Sequence, residues 1–244
     1  MDQPSRIATL ASHFGAFGLL ALVVGPLAIQ IGALSPFLGF RLFLLGGLCG
    51  LFALVLGAIG LWRTREITGR AGRGRALRGS LFGAAILALI AGTAGSARGL
   101  PAINDITTNP DDPPAFVHAG QLPGNEGRDL SYPAGFAQKQ RAGYPKLAPI
   151  RLEASLPDAF QQSVRAAEAL GWMITHRDPE GGALEATETS RIFRFVDDIV
   201  VRLRADGTAT VIDVRSKSRV GRGDMGANAK RIEAFRKQLN PGTE

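Results

Sequence analysis

"IVVRLRADGTATVIDVRSKS", residues Ile199–Ser218, decides the fold of the second half of this chain. Apolar and polar residues alternate on both sides of Asp206-Gly207, a dipeptide favoured in tight hairpin turns. Pairing about those two residues places Ile199, Val201, Leu203, Ile212 and Val214 on one face. Arg202, Arg204, Asp213, Arg215 and Lys217 fall on the other, with Asp198 opposite Arg215. One face of such a hairpin seeks a core, and the other carries charge.

Working outward, "WMITHRD" (Trp172–Asp178) and "ALEATETS" (Ala183–Ser190) read as a second hairpin, and "PIRLEASL" (Pro149–Leu156) alternates as a strand. Between them a helix opens at Pro157 and runs to Leu170, with Phe160, Val164, Ala167 and Leu170 on one stripe and Gly171 as its stop. A last helix, about Ala227–Leu239, carries Ile232, Phe235 and Leu239 on a stripe that can cover the sheet. The order is strand, helix, four strands, helix. The fold class is α+β, an antiparallel sheet with helices on one face. This domain is expected over residues 147–244, preceded at 100–146 by an extended Pro/Gly-rich segment without sustained periodicity.

Residues 1–99 differ in kind. Phe14–Leu34 and Leu42–Trp62 are uncharged runs of 21 residues, each long enough as a helix to cross about 30 Å of hydrocarbon. Leu81–Ala97 is a shorter third run, rich in the small residues that suit helix–helix packing. The first run exceeds a signal peptide's apolar region and leads directly into a second span, so it reads as a retained helix. Loop 63–79 carries six arginines against Glu66 alone, and short basic loops stay cytoplasmic. The expected topology is a multi-pass protein of the bacterial inner membrane. Its N-terminus and loop 63–79 are then cytoplasmic and its C-terminal domain periplasmic.

The net charge of +7 invites a nucleic-acid reading, and its distribution argues against one. Residues 1–99 hold nine Lys+Arg and two Asp+Glu, whereas residues 100–244 hold 19 of each. The soluble half has no excess charge to attract phosphates. The single cysteine, Cys49, lies in an apolar run, so no intramolecular disulfide or cysteine-based metal cluster forms. Asp105, Asp111 and Asp112 match no calcium-loop spacing and read as turn starters. No cofactor is expected.

"SRVGRGDMGANAKRIEAF" (Ser218–Phe235) holds a formal G-x-G-x-x-G at Gly221, Gly223 and Gly226. A dinucleotide fingerprint needs a parallel strand and crossover helix, whereas the strand here belongs to an antiparallel hairpin. Arg222-Gly223-Asp224 is too short a match to imply adhesion. Asp224 is instead positioned to cap the last helix, with Asn228 bonding back to the loop. Arg215, Lys217, Arg219 and Arg222 approach that helix mouth, so with Asp224 and Asn228 they form the candidate anion- or ligand-binding site. His118 and His176 lack a recognisable nucleophile partner. Glu185 and Glu188 have opposite parity on their strand and cannot act as paired carboxylates.

"INDITTNPDDPPAF" (Ile103–Phe116), "YPKLAPI" (Tyr144–Ile150), "EATETSRIFRFVDDIVVRLR" (Glu185–Arg204) and "DVRSKSRVGRGDMGANAKRI" (Asp213–Ile232) together resemble the family catalogued as domain of unknown function 1499. The resemblance spans about Ile103–Leu239. Members often follow membrane spans or export signals, and the family implies no settled activity, cofactor or catalytic residue. The expected function is a non-catalytic periplasmic domain that binds an envelope protein or an amphipathic, lipid-like ligand. The alternative is an envelope hydrolase with its site near residues 215–228.

Overall fold

The structure, a computed structural model of the chain, describes residues 5–65, 71–94 and 99–240. It divides into two compact units, Met1–Ser96 with Arg191–Arg194, and Ala97–Ser190 with Phe195–Glu244.

The first unit contains three helices long and apolar enough to cross a membrane. Ser5 caps α1 (Arg6–Gln30) by accepting from the Ala8 amide, and Ser35 caps α2 (Pro36–Arg63), whose first residue is proline. α3 spans Arg73–Ala94. Glycine sets the distance between α1 and α2: a Cβ on Gly25 would stand 2.5 Å from the Gly39 carbonyl oxygen. Only bare backbone permits that approach, the usual device for packing helices where lipid supplies no hydrophobic drive. α1 starts earlier than the uncharged run because Ser5 supplies a cap, and it ends at Gln30 rather than Leu34. α3 reaches back through Arg78 and Arg75 to Arg73, so these side chains decorate a helix start rather than a loop. Glu66 and Arg70 of the arginine-rich stretch, and residues 95–97 of the third apolar run, lie outside the described residues. Arg191–Arg194 belong to this unit, with the Phe193 ring edge-on to Phe40 at 5.0 Å and to Phe43 at 5.2 Å.

The second unit is built on a six-stranded antiparallel sheet: β1 (Asp105–Thr107), β2 (Ile150–Leu152), β3 (Met173–Asp178), β4 (Ala183–Thr189), β5 (Val196–Asp206) and β6 (Ala209–Ser218). The order is β1-β6-β5-β4-β3, and β2 shares the edge of β6 with β1. α5 (Leu156–Ala169) and α6 (Ala227–Leu239) cover one face. Phe160, Val164, Ile232 and Phe235 meet Ile199, Val201, Leu203, Ile212 and Val214 there in a single core, and Trp172 stacks on Phe235 with ring centroids 5.0 Å apart. The short α4 (Phe136–Gly143) completes the unit.

Two differences from the sequence reading matter. The β5–β6 turn is centred on Gly207-Thr208, since Asp206 pairs with Ala209. Asp198 therefore faces Lys217, and Arg215 faces Val200. The partner shift is two residues, so every side chain keeps its expected face. Segment 100–146 is also more than a connection. It supplies β1 and α4, and its stretch from Asp112 to Tyr132 lies across the second face of the sheet.

Candidate functional site

The six residues picked out by sequence do meet around the end of β6 and the start of α6, and most are engaged by neighbours. Arg215 is 2% exposed. Its Nε and Nη2 donate to the two oxygens of Asp105 at 2.9 and 2.8 Å, and its remaining donors reach the carbonyls of Pro114 and Leu130. The rings of Phe116 and Tyr132 lie 4.8 and 5.5 Å from the guanidinium carbon. Lys217 donates to the same Asp105 carboxylate at 2.9 Å. Arg219 forks onto Asp198 and reaches the Pro123 carbonyl. The N-cap position of α6 falls on Gly226, in the left-handed conformation at φ 83°, and Asp224, two residues before it, accepts from the amides of Gly226 and Asn228. Asn228 is buried and bonds Ser216, Ser218 and the Asn104 carbonyl. Arg222 alone of the six stands exposed with no ion pair among the described residues.

The segment over this face is fastened at several points. Glu185, buried at mid-strand, accepts the amides of Val117, His118 and Ala119 at 2.6, 2.9 and 2.7 Å. Asn125 donates to Asp198 at 3.0 Å. Asp213 receives Arg202 and Arg204, and Arg202 also holds Asp112. Gln140 satisfies the open edge of β1, since its amide accepts from the Thr107 N–H and donates to the Thr107 carbonyl like another strand. The three aspartates 105, 111 and 112 are thus ion-pair partners, of Arg215 and Lys217, Arg141, and Arg202 respectively. Burial pushes the Tyr132 hydroxyl up to about 12, with the Asp105 charge adding to it.

On the helix side, Arg231 binds Glu188 and, at 2.7 Å, Asp197. Burial raises the Asp197 carboxyl above the usual aspartate range despite the pull of Arg231. Glu185 and Glu188 do face opposite ways. The structure also joins two histidines that the sequence left apart: His118 stacks on His176 with centroids 5.2 Å apart and planes at 17°. The carboxylate nearest in register, Glu185, is already occupied by three backbone amides, so it does not orient either ring as a catalytic base. No cluster of three metal-ligating side chains exists among the described residues.

An open concavity lies elsewhere. Gly143-Tyr144-Pro145-Lys146-Leu147 forms one wall and Ala229, Glu233 and Arg236 of α6 the other, enclosing about 600 Å³. A smaller hollow of about 360 Å³, lined by Pro110, Gln140 and Arg141, shares Tyr144, Pro145 and Leu147 with it. The floor is apolar and the rim carries Lys146, Arg236 and Glu233. Arg236 donates to the Ala148 carbonyl, and its Nε lies 3.7 Å from a Glu233 carboxylate oxygen, too far for a hydrogen bond, with no other acceptor among the described residues. The buried Tyr144 hydroxyl also lacks a hydrogen-bond partner among the described residues. Burial raises its pKa, with the Asp224 charge contributing, so it stays a neutral donor. Sequence reasoning missed this groove because its walls lie some 90 residues apart. The legible signal was the Tyr-Pro step before β2.

No curated protein matches the chain significantly. A family model described as "Protein of unknown function (DUF1499)" matches residues 105–239, from the first residue of β1 to the last of α6. That stretch is more than half of the 244 residues and takes in both the buried ion networks and the groove. The chain is a membrane-anchored member of the DUF1499 family.

Proposed function

We propose that the C-terminal domain is a non-catalytic binding module, displayed on the periplasmic side of a bacterial inner membrane, that holds an amphipathic ligand with an acidic head. The observation that carries this reading is the groove between residues 143–147 and α6. It combines an apolar floor with a rim on which Lys146 stands beside the Arg236–Glu233 pair. A site of that size, mostly apolar with a few convergent polar groups, suits one acyl chain with its head at the rim. The reading therefore places the ligand at the groove and not on Arg215, Lys217 and Arg219, whose charge is met by Asp105 and Asp198.

The same geometry weighs against the hydrolase alternative. Ser216 and Ser218, the hydroxyls of the 215–228 corner, are bonded to Asn228, an amide that accepts no proton. Periplasmic display is supported by the arginines that crowd the α2–α3 side of the spans. A reporter that is active only in the cytoplasm, fused after residue 240, tests the display: activity would overturn it.

Photo-crosslinking tests the ligand. Native membranes containing the full chain are exposed to a diazirine-bearing anionic lysophospholipid, and labelled peptides are mapped by mass spectrometry. Label on residues 143–147 and 229–236 is expected, lost in Leu147→Glu and reduced in Lys146→Glu. Labelling of the spans alone contradicts the proposal.

A further inference from the structure

We infer that the turn joining β6 to α6, residues 219–226, is a second membrane contact. In this reading Val220 and Met225 are seated among lipid headgroups and Arg222 meets a lipid phosphate. The inference goes beyond the groove and does not rest on it. Val220 is 46% and Met225 55% exposed, on a turn whose Gly221, Arg222 and Gly223 are also exposed. Met225 is one of two non-glycine residues at positive φ among those described, and Asp224 holds this conformation by accepting the Gly226 and Asn228 amides. The backbone thus presents a large apolar side chain outward at a conformational cost, instead of folding it into the core.

What covers these side chains follows from where the turn is tied. It is bonded to the first residues after the last span: Asn104 Nδ2 donates to the Gly221 carbonyl at 2.7 Å, the Asp224 amide to the Ile103 carbonyl, and the Ser218 amide to the Asn104 carbonyl. A Cβ on Gly223 would touch Ala102, and one on Gly226 would meet Leu100 at 2.7 Å. Leu100 is six residues beyond Ala94, the end of α3. At 3.6 Å per residue or less, the chain cannot carry it more than about 22 Å from that helix end. A second tether is shorter still. The Arg219 amide donates to Val196, two residues after Arg194, which clusters with the membrane helices. Exposed apolar side chains and an arginine with no ion pair among the described residues, so tethered, match the chemistry of the interfacial layer, where apolar groups sink about 5–10 Å and cations meet phosphate.

The test places a nitroxide at the turn in the full chain, in liposomes of phosphatidylethanolamine and phosphatidylglycerol. The sole cysteine is first removed by Cys49→Ala. Met225→Cys and, separately, Val220→Cys carry the label, and Glu180→Cys in the β3–β4 turn marks the opposite end of the sheet. Paramagnetic accessibility to oxygen and to a nickel chelate reads depth. The oxygen-to-nickel ratio at 225 and 220 is expected to exceed that at 180 at least fivefold, and Arg222→Glu is expected to lower it. Equal, water-like ratios at all three sites overturn the inference. Protection from both reagents at 220 and 225 would assign the turn to a second copy of the chain and overturn it as well. Trp172 emission checks that each labelled chain is folded, and a variant that unfolds with either label is replaced by the other position.

Discussion

The two faces of the sheet are closed by opposite means. Under α5 and α6, the side chains of Ile199, Val201, Leu203, Ile212 and Val214 meet Phe160, Ile232 and Phe235 in an apolar core. On the other face Asp105, Glu185, Asp198, Asp213, Arg215 and Lys217 are buried as deeply, beneath a segment with little regular structure. The first face is held by area removed from water, which is non-directional and tolerant of detail. The second is held by directional bonds, each of which must be met because a buried charge without its partner is costly. A polar face is therefore not the same thing as an available face. Charge that looks open in the sequence is used to fasten residues 105–132.

The comparison can be broken or sharpened by substitution in the full chain in detergent. Urea unfolding is followed there through Trp172 in a Trp62→Phe background. The largest loss is expected from the apolar side: Phe235→Ala removes a fully buried ring stacked on Trp172 and should cost about 4 kcal/mol. Asp105→Asn should cost about 3 kcal/mol, because Arg215 and Lys217 lose their shared carboxylate while remaining buried. A loss below about 0.5 kcal/mol would mean that face is solvated, as surface substitutions are. Glu185→Gln keeps the shape but removes the charge that receives three amides, and should cost about 2 kcal/mol. Its effect should appear first as faster hydrogen exchange at Val117–Ala119.

The alkaline response is smaller. Tyr132 ionises at about 12 in the folded chain against an ordinary 10.0, so its contribution is full below pH 10 and is lost as pH rises towards 12. Partial exposure reduces the linkage to about 1 kcal/mol, and Tyr132→Phe should flatten the stability profile in that window by this amount. A profile unchanged by Tyr132→Phe would place the hydroxyl in water.

Legibility in the sequence divided along the same line. The spans, both hairpins, and α5 and α6 follow from patterns within one window of chain, as do the bonds of Asp224 to amides at the start of α6 and the faces of β5 and β6. Alternation survives a two-residue partner shift, which is why the faces were right while Asp198 opposite Arg215 was not. β1 was invisible because Asp-Ile-Thr has no length for a period, and it forms only against residues 215–217, over 100 positions away. The fate of Arg215 and Lys217 depended on that pairing. The groove was illegible for the same kind of reason, since its two walls, residues 143–147 and α6, are distant in the chain. One local signal was available: Glu185 in mid-strand on the face away from the helices requires a polar cover.

Arginine footprinting tests the central claim most directly. The full chain in its native membrane is treated briefly with phenylglyoxal, and modified arginines are quantified by mass spectrometry. The half-exposed Arg177 should react readily, while Arg215 should remain protected until the domain unfolds. Modification of Arg215 at the rate of Arg177 in the folded protein would show the cationic face to be open, and would contradict the account.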